Sequence, residues 1–292
     1  ANVDWQRQFG DHKVYTTLMY TYKYDNNVNI NSTLYHCNWS WYTHYGFKNR
    51  YFLDFALVAS ASNLLETGNQ WHVSPTVGLA WNITNESFMK DVSWINFLKL
   101  RGSFGIINTD NIPYNGYWYT QMVGGSGYPI QDNFSNSGSP YTEGQLPSLG
   151  GTTEKGYKYN IGVDATLFGG LTLMVDGFYE RRQDIWVTTG GKYSSVLGAT
   201  PAYENAGIVD TKGVEIGLDY MKKFGDFRLN LGGTFSFTKN IIKEQLEETK
   251  AYDYLYSTGK PVGQIFGYQA IGYFVDQADI DNSPEQRFGE VK

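Results

Sequence analysis

Cysteine is almost missing from this chain. Cys37 stands alone among 292 residues, which excludes an internal disulfide framework and a cysteine-built metal centre. A strand position suits it better than the role of a reactive nucleophile. Basic charge is also short. The 23 Lys and Arg against 29 Asp and Glu leave a net charge of −6, with the cations scattered, so nothing supports a nucleic-acid partner. No apolar run approaches the roughly 18 residues of a membrane-spanning helix. Catalytic and metal-binding patterns are absent too. The histidines His12, His36, His44 and His72 lack paired-ligand spacing. Asp276, Asp279 and Asp281 lack the glycine and closing glutamate of a calcium loop, so a solvated loop is expected there. Gly124-Gly125-Ser126-Gly127 is not followed by Lys-Ser/Thr, so it is no phosphate loop. Neither catalysis, a metal nor a cofactor is expected.

Aromatic residues, glycine and alternation are what the chain has. It holds 24 Tyr, 17 Phe, 8 Trp and 33 Gly, with only 18% charged residues. Glycan-binding β-sandwiches and transmembrane barrels share that profile. A mean hydropathy of −0.42 does not separate them, because only alternate strand residues of a barrel meet lipid.

The stretch from Tyr157 to Leu167 shows the alternation best. Tyr157, Tyr159, Ile161, Val163, Ala165 and Leu167 interleave with Lys158, Asn160, Gly162, Asp164 and Thr166, a period of two and hence a strand with one apolar face. The same pattern predicts strands over about 12–24, 28–43, 49–61, 71–83, 97–106, 171–187, 214–220 and 227–238. Asn85 is expected to cap a short helical turn after the fourth of these. Residues 107–152 break the pattern as a long loop, and a second loop covers about 188–206. Residues 1–240 thus read as antiparallel strands with loops, and 241–292 as mostly loop with a possible strand at 267–275. Short and long connections alternate, as periplasmic turns and extracellular loops do in an outer-membrane barrel. Aromatics gather near strand ends, as in interfacial girdles or through plain β-propensity. If the fold is a barrel, Lys158, Asn160, Asp164, Asp176, Glu215, Asp219 and Arg228 face its lumen. The alternative is a soluble or surface-attached glycan-binding sandwich, with the apolar faces packed sheet on sheet.

Four segments resemble, in order, the barrel of the SusC/RagA family of TonB-dependent transporters. They are Ser74-Pro75-Thr76-Val77-Gly78-Leu79-Ala80-Trp81-Asn82-Ile83, then Leu98-Lys99-Leu100-Arg101-Gly102-Ser103-Phe104-Gly105. Glu204-Asn205-Ala206-Gly207-Ile208-Val209-Asp210-Thr211-Lys212-Gly213-Val214-Glu215 follows, and Gly259-Lys260-Pro261-Val262-Gly263 with Phe266-Gly267-Tyr268 comes last. Asp210 departs from the family's usual Asn, and the first seventy residues match less well. The resemblance implies an all-β, antiparallel up-and-down transmembrane barrel, of which this chain holds about 9–10 of about 22 strands. The plug domain and closing strands would be absent, and neither chain end reads as a natural boundary. It further implies the bacterial outer membrane, lipid around the barrel, uptake of an oligosaccharide or peptide, and a SusD-like lipoprotein as cap. The TonB complex would act through the missing N-terminal part. The long loop is the best site candidate. Its Tyr114, Tyr117, Trp118, Tyr119 and Tyr128 could stack on sugars, pack a capping partner, or pack on neighbouring loops. Lys212 and Gly213 are expected at the entry of a strand.

Overall fold

A computed structural model describes residues 1–27, 32–110, 119–120, 123–125, 141–189, 191–194, 196, 198–270 and 272–284. In chain order the strands are β1 (Asn2–Phe9), β2 (His12–Asn27), β3 (Ser32–Phe47), β4 (Tyr51–Ser62), β5 (Trp71–Asn82), β6 (Ile95–Thr109), β7 (Val123–Gly125), β8 (Tyr141–Glu143), β9 (Glu154–Leu167), β10 (Leu171–Thr188), β11 (Tyr203–Phe224) and β12 (Phe227–Glu244). Ten of them form one antiparallel sheet in the order β1-β2-β3-β4-β5-β6-β9-β10-β11-β12, and β7 and β8 pair separately. The sheet is an unclosed up-and-down meander. Residues 263–292 are a separate unit.

Three changes concern which elements exist. The sheet gains β1, whose alternation of Val3, Trp5 and Phe9 is interrupted by Arg7. The Arg7 guanidinium lies 4.6 Å over the Phe9 ring, which lets a cation sit on an apolar face. Residues 267–275 form no strand among those described, because an extended segment without a ladder partner leaves its N–H and C=O groups unpaired. The acidic group beyond it is not a loop but the start of helix α1 (Gln277–Asn282), where Asp276 accepts from the Asp279 N–H at 2.8 Å.

Register sorts the side chains onto two faces. Across seven strands, one row reads Leu53, Leu79, Gly102, Ile161, Gly177, Val214 and Phe237. The adjacent row on the opposite face reads Asp54, Gly78, Ser103, Asn160, Phe178, Gly213 and Thr238. The apolar face has no covering sheet among the described residues, and Leu79, Ile161 and Leu231 are 62%, 63% and 58% exposed. This overturns the sandwich, whose inner faces would be packed. A continuous apolar face of this size calls for an apolar phase rather than water.

Its height matches a bilayer. On β5 the face starts at Trp71 and ends at Trp81, ten residues apart. At about 3.3 Å per residue and a tilt near 45°, that is about 23 Å of height, close to the roughly 25 Å apolar band of outer-membrane barrels. β11 repeats the measure with charges, because Lys212 and Lys222 bracket Val214, Ile216, Leu218 and Tyr220. Stacked pairs mark the lower girdle: Tyr51 with Trp81 at 6.4 Å and Trp94 with Phe168 at 5.7 Å. Two hydroxyls on this face, those of Thr16 and Thr43, are satisfied locally, as lipid demands. Thr16 Oγ1 bonds Thr43 Oγ1 at 2.8 Å and accepts from Trp41 Nε1 at 3.0 Å.

The tight connections share one end. Gly10 (φ 56°) and Gly225 (φ 60°) open two-residue turns, while Lys48 and Asn49 (both 53°), then Phe168 (53°) and Gly169 (71°), take left-handed backbone in three-residue ones. The β5–β6 link lies at the same end as two 3₁₀ turns, Ile83–Asn85 and Ser87–Met89. Asn85 caps neither. Its Nδ2 donates to the Asn49 carbonyl at 2.7 Å and ties two turns together. Glu86, buried here, accepts from Tyr51 Oη (2.7 Å) and Trp81 Nε1 (3.0 Å) and meets Arg50 (3.2 Å). Those bonds hold its carboxyl below the usual range.

Leu218→Arg, near mid-band, should destabilise the lipid-embedded protein by about 2–4 kcal/mol. Asp219→Asn, one residue away on the other face, should change stability by less than about 1 kcal/mol. Denaturant titration in lipid vesicles measures both.

Candidate functional site: the polar face and its loop platform

The seven residues expected to share a lumen share one face. Lys158, Asn160 and Asp164 lie on β9, Asp176 on β10, Glu215 and Asp219 on β11, and Arg228 on β12. Arg101 of β6 organises the first strands of this set. Its Nη1 and Nη2 donate to the two Asp176 oxygens at 2.6 Å each. Its Nε reaches Asp164 Oδ2 at 3.1 Å, and Nη1 reaches Asn160 Oδ1 at 3.4 Å. One guanidinium thus staples β6, β9 and β10, with the bidentate geometry that only arginine offers. Gly162 makes room for it, since a Cβ there would lie 2.7 Å from both Arg101 Cζ and Asp176 Oδ1. Lys158 faces Glu180 at 3.8 Å. Glu215, Asp219 and Arg228 line the same face beyond this network. Towards β3 and β4, Asp54 Oδ1 accepts from Tyr42 Oη (2.6 Å) and lies 2.7 Å from His44 Nδ1. His36 Nδ1 lies 3.2 Å from Asp110 at the base of the long loop. Neither Arg101 nor these histidine–carboxylate pairs belonged to the expected site. Arg101 alternates with Leu98 and Leu100, so its face was legible, but its two carboxylates lie 63 and 75 residues downstream.

The long-loop end carries the buried core. Leu65 and Trp186, 2% and 7% exposed, pack with Tyr203. Gly151 lies so close to the Trp186 indole that a Cβ there has no space. Asn205 clasps the same segment: its Oδ1 accepts from Thr152 N–H (2.8 Å), and its Nδ2 donates to the Thr152 (3.0 Å) and Asp184 (2.7 Å) carbonyls. Glu66 accepts from Gly150 N–H at 3.0 Å. Gly207 sits against Val187 and Ile185, at 2.8 and 3.0 Å from a notional Cβ, beside an irregular rung of the ladder. Gly213 lies under the Phe178 ring. The segment 204–215 is therefore a clasp and two close approaches rather than a strand entry, because β11 already begins at Tyr203. Of the loop aromatics, Tyr114, Tyr117, Trp118 and Tyr128 lie outside the described residues. Tyr119 is half-buried, and its hydroxyl donates to the Asn63 carbonyl at 3.5 Å.

Beyond β12, Glu247 closes a loop on itself. Burial works against its charge, but Thr258 Oγ1 (2.6 Å) and the N–H groups of Ser257 and Thr258 (2.8 Å each) outweigh it. They hold the carboxyl down at about 2. Ordinary carboxyls titrate near 4.5, so this stabilisation is present above about pH 4.5 and is lost as pH falls towards 2.

No protein-family model matches the chain. Among curated proteins it is similar to the TonB-dependent receptor P39 of Formosa agariphila, 26% identical over 243 residues, covering 82% of this chain and 22% of that protein. It is 24% identical over 257 residues to the TonB-dependent receptor SusC of Bacteroides thetaiotaomicron, covering 82% and 25%. The fold matches the RagAB peptide importer in its closed-closed state with a TM-score of 0.71 at 16% identity, over 84% of this chain and 30% of that one. The chain spans about a quarter of the length of the curated relatives it matches. In sequence the chain is similar to TonB-dependent receptors, and in fold to an outer-membrane transporter barrel.

Arg101→Ala and Gly162→Val should each cost roughly 1–3 kcal/mol, by orphaning two carboxylates or displacing the guanidinium. Together they should cost clearly less than the sum, read from denaturation midpoints. For Glu247, amide-exchange protection at Ser257 and Thr258 should fall between about pH 4.5 and 2. Glu247→Gln should have low protection at pH 7 and no such transition.

Proposed function

We propose that this chain forms part of the wall of a TonB-dependent importer in a bacterial outer membrane. Its polar face lines the lumen, so that Lys158, Asn160, Asp164, Asp176, Glu215, Asp219 and Arg228 meet water and passing cargo. Its long-loop end faces outward, where Leu65, Trp186 and Tyr203 brace a platform for the extracellular loops. A SusD-like lipoprotein covers that platform, and energy arrives from the TonB complex through a segment beyond this chain. The cargo is an oligosaccharide or a peptide, with tyrosines of the 107–152 loop stacking on it. The observation that carries the reading is the division of the sheet. An apolar face about 23 Å tall stands back to back with a charged face, and the long connections share one end. The relatives support it as receptors, and the importer in the structural match carries peptide by its own description.

Single cysteines in a Cys37→Ser background test the two faces. Cysteines at Asn160 and Glu215 should react with a charged, membrane-impermeant maleimide, and those at Ile161 and Leu231 should be shielded by lipid. Equal reactivity on both faces defeats the lumen assignment. In cells, uptake of fluorescent oligosaccharides or peptides should stop when TonB or the adjacent lipoprotein is deleted. Uptake that survives TonB deletion removes the importer reading.

A further inference from the structure

The apolar face ends at its long-loop edge in an arrangement that the wall function leaves unexplained. Lys212 on β11 is the direct cross-strand partner of Lys239 on β12. Like charges placed opposite each other destabilise a sheet, and the hydrocarbon just below weakens solvent screening. Both side chains are exposed, and among the described residues no carboxylate lies within ion-pairing distance of either ammonium. The nearest opposite charge in the register, Asp210, is 3.9 Å from Arg181. The other rung neighbour of Lys212 is Tyr179.

Directly beneath the lysines the face is notched. Gly177 leaves a gap in the row between Ile161 and Val214, and a Cβ there would meet nothing closer than 3.9 Å. The resulting groove holds about 640 Å³ and is lined by Tyr159, Ile161, Tyr179, Val214 and Phe237, with Lys212 at its edge. Ile161 and Phe237 are 63% and 59% exposed, so the groove opens to the surroundings.

We propose that this groove and the Lys212–Lys239 pair bind a phosphorylated lipid of the outer leaflet. An acyl chain fills the gap above Gly177, and the headgroup phosphate sits between the two ammonium groups. Charge complementarity selects the occupant. Paired cations need an anion, the adjoining groove is apolar, and both lie at the height where the aromatic girdle meets the headgroups. Neutral lipid satisfies the groove and leaves the lysines repelling each other. A soluble anion satisfies the lysines and leaves the groove empty. The proposal rests on the apolar face meeting lipid and is independent of the cargo.

The test uses the full receptor in phosphatidylcholine nanodiscs titrated with bis-phosphorylated lipid A, with bound lipid counted by native mass spectrometry. Each lysine near the surface contributes about fivefold to anionic-lipid binding, so Lys212→Gln/Lys239→Gln should weaken retention by roughly 25-fold. Lys222→Gln, on the same face at the tight-turn end, should leave retention unchanged. Dephosphorylated lipid A should bind wild type no better than the double variant binds lipid A. Gly177→Leu should weaken retention by filling the groove. A second readout guards against misfolding. In zwitterionic detergent without lipid A the double variant should melt higher than wild type, because the repulsion is gone, and lipid A should raise the Tm of wild type only. Equal retention by wild type and the double variant, or no dependence on the phosphates, overturns the proposal. If the faces were misassigned, the cysteine labelling fails; if only this site is wrong, labelling holds and lipid retention does not discriminate.

Discussion

A peptide group in hydrocarbon has nowhere to place its hydrogen bonds except on another peptide group, and this constraint underlies the whole structure. It rules out irregular backbone within the apolar band and makes every strand depend on the next. The register follows without interruption through the middle of β2 to β5 and β9 to β12. Irregular rungs occur near strand ends, at Ile95, Arg182 to Trp186 and Ile208. The hydroxyls of Thr16 and Thr43 obey the same rule on a smaller scale, by bonding each other.

With the backbone so committed, the side chains decide what each face can touch. Among the described residues no packed core lies against the apolar face. That face tolerates exposure of Leu79, Ile161 and Leu231 because lipid, not water, receives them. On the polar face the strands are held by charge, and Arg101 does with two carboxylates what a hydrophobic layer does in a soluble sheet. Glycine is the spacer in both settings. Gly162 admits a guanidinium, Gly213 admits the Phe178 ring, and Gly177 leaves a notch in the apolar row. Protein core in the ordinary sense appears at the long-loop end, around Leu65 and Trp186, where the chain leaves the membrane and must bury apolar surface from water.

Most strands were legible because period-two alternation is local and strong. The segments around Trp71–Trp81 and Tyr157–Leu167 announced themselves within about three residues of their observed ends, and the one from Phe227 was right at its start but runs on past Thr238 to Glu244. The losses have physical causes. β1 was hidden because Arg7 interrupts its apolar set, and only the contact with Phe9 reconciles them. The first part of β11 was missed because the loop reads as far as Ala206 and the strand entry reads at Lys212 and Gly213, where apolar alternation begins. Glu204 to Lys212 is a strand bonded to β10 and clasped through Asn205. The segment at 267–275 looked like a strand because it is aromatic, but propensity without a partner makes no ladder. The polar site was half legible. The faces of Asp164 and Asp176 could be read, whereas their convergence on Arg101 could not, because it depends on β6 pairing with β9 across the long loop.

The sequence by itself determined that the strands are long, antiparallel and one-sided, and that short and long connections alternate. These are properties of side-chain period, turn residues and loop length, all encoded within a few residues of each other. Only the tertiary structure decided that no described element covers the apolar face, that one arginine holds three strands, and that Lys212 stands against Lys239 above an open groove. Each of these is a pairing between segments remote in the chain. Pairing is set by the register of the whole sheet, which no local stretch of sequence contains.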